Sequence, residues 1–151
     1  NILLAEILSM AASSKVPVQL HVEDAGKQTY SELAKIVDSS GLDRKNVVRH
    51  FAPADVSSEF TNDLSCTVSV GSGSVDHLLN TYKLSNSRWG METDFLDDPK
   101  RPGAVLGPKT IPKRTNQLCK SLLAIQDLDY VEDLLLSVHS KWPSELYGID
   151  F

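Results

Sequence analysis

The sequence predicts an α/β fold built on parallel strands, and three observations predict it. Short apolar runs at 16–22, 47–51 and 64–70, with a fourth strand candidate at 88–93, alternate with stretches of helical periodicity. Such alternation calls for a parallel sheet with helical crossovers. Three of the four strand candidates also finish in, or run into, a ligand-type residue: His21 after VPVQL, His50 after NVVR, Asp94 after RWGMET. Four strands in a flat doubly wound sheet would suit this length. The chemistry at the strand ends favours half of a TIM (β/α)8 barrel, because barrels gather their active sites at the C-terminal ends of the strands.

The elements follow in order. Residues 2–12 (ILLAEILSMAA) read as a helix with an apolar face, and the run behind Pro17 as a buried strand. Thr29-Tyr30-Ser31-Glu32 has capping-box form and opens a helix ending near Gly41. Strands at 47–51 and 64–70 come next. Ser74 can cap the following helix, in which Val75, Leu78, Leu79 and Tyr82 recur at helical spacing. After the strand at 88–93, two helices are expected at roughly 111–125 and 130–139. The tail from Ser144 to Phe151 should pack back on the body through Leu146, Tyr147 and Phe151.

With 151 residues the chain suffices for one domain with a full core. The apolar opening is interrupted by Glu6 and has no basic flank, so it is neither a signal peptide nor a membrane span. Cys66 and Cys119 form no framework pattern, which points to a reducing compartment and a cytoplasmic protein. A net charge of −5 argues against broad binding to a long polyanion, which needs an extended basic face. The charges are nevertheless segregated. Glu92, Asp94, Asp97 and Asp98 are followed by Lys100, Arg101, Lys109, Lys113 and Arg114. An acidic loop beside a basic one suits a site holding cations next to an anionic group, and equally two solvated loops.

Residues 29 and 44 apart converge if they end neighbouring parallel strands. A His–His–Asp set suits zinc, manganese or magnesium, the metal acidifying a bound water for hydrolysis. Glu23 lies two residues beyond His21, on the same face of a strand, and can reach the site or point into solvent. Lys109, Lys113 and Arg114 are the candidate anion contacts. The turn Val70-Gly71-Ser72-Gly73-Ser74 could hold phosphate at a helix start, although plain Gly-Ser turns are common.

The segments LHVEDAG (20–26), VVRHFAP (47–53) and METDFLDDP (91–99) resemble the fifth, sixth and eighth strands of TatD-like hydrolases in the amidohydrolase superfamily. GAVLGPKTIPKRT (103–115) resembles the loop and last helix of their archaeal-type branch, and SELYGIDF the family's C-terminus. The resemblance runs over essentially the whole chain. It implies strands five to eight of a barrel, a site with two divalent metals, and metal-dependent hydrolysis, most often of DNA. His21 and His50 would ligate metal; Asp94 would ligate metal and orient or deprotonate the attacking water. The family's His-x-His pair and fourth-strand Glu have no counterpart before His21. The missing half of the barrel, from the same polypeptide or a partner chain, is therefore an expected partner, and DNA an expected substrate.

Two positions depart from the family. Its DNases commonly carry Arg where this chain has Glu23, and Cys where it has Phe51. An acidic group there would repel a phosphate or act as an extra ligand. Hydrolysis of an amide, lactone or ester is thus a rival to phosphodiester hydrolysis, and an inactive fragment or a subunit completed by another chain is a third reading.

Overall fold

The structure, a computed structural model, describes residues 2–95, 100 and 106–149. Asp97, Asp98, Arg101 and Phe151, named above, lie outside the described residues. The described chain carries a four-stranded parallel sheet: β1 (Val18–Leu20), β2 (Val47–Ala52), β3 (Ser65–Ser69) and β4 (Trp89–Glu92). The spatial order β1-β2-β3-β4 repeats the chain order. A doubly wound sheet reverses its strand order at a switch point. Unreversed order is that of a barrel wall, and the sheet is consistent with part of a TIM-like barrel.

Helices connect the strands. α1 (Ile2–Ser14) precedes β1, α2 (Lys27–Ser40) links β1 to β2, the short α3 (Ser58–Thr61) lies between β2 and β3, and α4 (Ser74–Thr81) links β3 to β4. After β4 come α5 (Thr110–Leu123), α6 (Leu128–Leu136), a π-helical turn over Ser137–Lys141, and α7 (Trp142–Tyr147). One continuous core is formed by Leu8 of α1, Tyr30 and Val37 of α2, Val47 and Val68 of the sheet, Leu78 of α4, and Leu118 and Leu122 of α5. Each is fully buried. Burying a side chain of this size stabilises the fold by about 1.5–3 kcal/mol, so the helix spacing read from the sequence matches the faces that pack.

Some boundaries move, for physical reasons. β1 keeps only three residues, since Pro17 has no N–H to donate and Val16 is exposed. α2 begins at Lys27, before the expected capping box. The Thr29 hydroxyl instead accepts from Ala25 N–H (2.8 Å) and donates to the Glu23 carbonyl (3.2 Å). Ser74 does not cap α4 either, because Gly73 takes that place in the left-handed conformation and the Ser74 hydroxyl donates to the Gly71 carbonyl. α6 starts at Leu128 because Asp127 caps it, accepting from Tyr130 N–H at 2.8 Å.

The tail returns to the sheet as expected through Leu146, which is buried, and Tyr147. Trp142 packs edge-on to Trp89, Arg88 pairs with Glu145 at 3.2 Å, and the Tyr147 hydroxyl donates to Gln19 Oε1 at 3.1 Å. α7 therefore ties the last strand to the first.

Candidate metal centre

The direction of His50 depends on a bulge in β2. Arg49 pairs with Cys66 and Ala52 with Val68, so three steps along β2 face two along β3. Phe51 lies within the bulge at φ 52°, a left-handed conformation that is rare for a bulky side chain. Strained residues of this kind persist where their surroundings over-determine them, often beside a working site. Arg49 is packed under the helices, whereas His50, its neighbour, turns to the other face with its side chain 18 % exposed.

Two carboxylates bracket the His50 ring. The two oxygens of Glu92 lie 2.8 and 2.9 Å from Nδ1, and the geometry suits a hydrogen bond to Oε2. Buried Oε1 of Glu92 is left without one. On the opposite side, Asp94 Oδ1 lies 3.4 Å from Nε2. Asp94 follows the end of β4 by two residues and has φ 49°, which turns its side chain toward β2. One ligand atom from each of His50, Glu92 and Asp94 falls within a 4.8 Å span.

This set fits a divalent cation. Imidazole and carboxylate are ligands of zinc and manganese, and carboxylate of magnesium. Two donors held at about 2.1 Å from one ion in tetrahedral geometry stand roughly 3.4 Å apart, the separation of His50 Nε2 from Asp94 Oδ1. A carboxylate on the far nitrogen of a ligating histidine fixes its tautomer and ring direction, and Glu92 stands in that place. Its Oε1, buried and without a hydrogen-bond partner among the described residues, makes Glu92 itself a candidate ligand.

His21 follows the end of β1 and stands beside this cluster, its ring centroid 5.2 Å from that of His50. The structure thus brings His21, His50 and Asp94 to one end of the parallel strands, but the group close enough to share one ion is His50, Glu92 and Asp94, without His21. Glu23 lines the same open cleft as His21, His50 and Phe51. Arg114 lies at the end of β3, its Nε donating to the Val70 carbonyl (3.2 Å) and its Nη1 to Gln117 Oε1 (2.8 Å). Lys109 and Lys113 are exposed around the start of α5.

Glu92 was absent from the expected ligands. It sits in an acidic run, and only the two-residue alternation ending at Asp94 could have singled it out. Arg49 and Asp24 were missed as well. Asp24 Oδ1 accepts from Gly26 N–H (2.8 Å) and pairs with Arg49 Nη2 (2.9 Å). Partial burial pushes the Asp24 carboxyl upward, but the Gly26 N–H and the guanidinium outweigh it and hold the group below its ordinary value.

The sequence profile of the family described as TatD related DNase matches residues 1–138. An uncharacterized protein of Methanocaldococcus jannaschii, MJ1127, is 25 % identical over 150 residues, a stretch covering 99 % of this chain and 50 % of the relative. The chain therefore spans about half the length of the curated relative it matches. No solved structure matches it. Among the described residues, no helix is long and apolar enough to cross a membrane.

Proposed function

The chain belongs to the TatD-related DNase family, and from that membership we propose that it is the C-terminal half of a metal-dependent hydrolase, providing strands five to eight of a (β/α)8 barrel. The observation that carries this reading is the tight set of His50, Glu92 and Asp94 at the C-terminal end of parallel strands. His21, His50 and Asp94 would hold divalent metal, two ions in a complete site, and Glu92 would keep the His50 ring turned toward Asp94. A bound metal ion lowers the pKa of its water and offsets the negative charge that develops during hydrolysis. Asp94 would orient the attacking water and accept its proton. Phosphodiester hydrolysis of DNA is the leading activity.

The test is Asp94→Asn in the complete protein. Turnover of DNA should fall by about 10²–10⁴-fold with the fold intact, and bound metal should decrease. Near-normal activity with full metal content would leave Asp94 a structural role only.

Glu23 in the cleft favours a second reading, hydrolysis of a neutral amide, lactone or ester. The basic residues discriminate between them. With a phosphodiester substrate, Lys109→Ala or Arg114→Ala should raise KM several-fold and flatten its salt dependence. With a neutral substrate the same changes leave KM and its salt response unaltered.

A further inference from the structure

A second feature lies in the wall of the cleft, which Asp24 and Arg49 also line. Arg49 is 1 % exposed, a cation enclosed between the sheet and α2. Its guanidinium lies 4.7 Å from the centroid of the Tyr30 ring, and its Nε and Nη1 have no hydrogen-bond partner among the described residues. Among the described residues its one ion-pair partner is Asp24, at 2.9 Å from Nη2. Enclosing a charge with so few partners is unfavourable, and an apolar side chain of similar volume commonly serves stability as well or better. The position of Arg49 is therefore poorly explained by packing.

Asp24 explains it better. The segment after β1 has no regular structure until Lys27, and it carries His21 and Glu23. It is fastened by few bonds: Asp24 to Gly26 N–H, and Thr29 to Ala25 N–H and the Glu23 carbonyl. Beside the packing of Val22 on the core and the His21–His50 ring contact, Arg49 contributes the one long-range ion pair of this segment among the described residues, joining it to β2. It also precedes His50 in β2. Successive residues of a single strand thus present His50 beside Asp94 and hold the neighbouring loop through Asp24.

We propose that Arg49 is a positioning residue which, through Asp24, sets the distance between His21 and His50 and so sets metal affinity. The proposal rests on the reading of His21 as a metal ligand. Supporting partners of metal ligands commonly account for ten- to a hundredfold in affinity.

The test compares Arg49→Met and Asp24→Asn with the parent, in the complete protein, by hydrogen exchange and by titration with Zn²⁺ or Mn²⁺. Both variants should speed amide exchange across residues 21–26 and weaken metal binding by about tenfold. The double variant should lose no more than the stronger single one, because both changes cut one link. Arg49→Met should do this with an unchanged or raised Tm, a combination that a purely structural arginine would not give. Unaltered exchange over 21–26 in both variants would overturn the anchor. Faster exchange with unaltered metal affinity would overturn its effect on the site. His21→Ala with undiminished metal affinity would instead remove the reading of His21 on which the proposal rests, while the exchange data still judge the anchor.

Discussion

Cys66 lies in the row Leu20, Arg49, Cys66, Trp89 that crosses the sheet, and burial pushes its thiol up to about 12. The thiolate is the reactive form. Native protein treated with iodoacetamide near pH 8 should therefore be modified at half-buried Cys119 and spared at Cys66. Peptide mass mapping checks this, and rapid labelling of Cys66 would mean that the sheet opens. A second residue-scale expectation concerns acid. The Asp24 carboxyl is held below its ordinary value of 3.8, so the folded state binds fewer protons there than the unfolded chain. Its contribution is present above pH 3.8 and is lost as pH falls below that value through the folded pKa. Wild type should be more stable than Asp24→Asn at pH 6, by roughly 1 kcal/mol or less given the half-exposed carboxylate. The gap should narrow as pH falls below 3.8 in denaturant titrations. Single residues were unequally legible in the sequence. His21, His50 and Asp94 stand out because ligand types at strand ends are few. Glu92 hides among neighbouring acids, and Arg49 reads as an ordinary surface charge until its burial is known.

At the scale of elements, periodicity located the four strands and the long helices because packed faces impose it. Their ends were less legible, since a capping side chain works only if the backbone brings it to the right N–H. Asp127 meets that condition, Thr29 and Ser74 do not. Asp127→Ala should accordingly cost about 1 kcal/mol of stability, measured by urea unfolding with an unchanged slope. A loss near zero would mean that α6 is held by Val131 and its packing alone. The bulge in β2 left no mark in the sequence at all. NVVRHFA reads as an uninterrupted strand, and the extra residue shows only in its pairing with β3. That bulge matters for the site because Arg49, His50 and Phe51, the three residues around it, all line the cleft.

The sheet of the whole molecule has two edges among the described residues, with β1 paired only to β2 and β4 only to β3. A barrel has no edges, and unpaired strands with apolar flanks invite association. Along α1, Ile2, Leu3, Ile7 and Met10 are 80, 69, 47 and 70 % exposed, an apolar surface that a neighbouring barrel helix would cover. We therefore expect residues 1–151 alone to be an incomplete unit. Expressed by itself, the segment should associate or aggregate, bind Zn²⁺ or Mn²⁺ weakly through His21, His50 and Asp94, and show no hydrolysis. Supplying strands one to four, as upstream sequence or as a separate chain, should give a defined particle, raise metal affinity and restore turnover. Light scattering, metal content and DNA hydrolysis measured on the segment with and without that half decide the matter. A stable, metal-loaded and active monomer of 151 residues would show that the sheet closes in some other way and that the half-barrel reading fails.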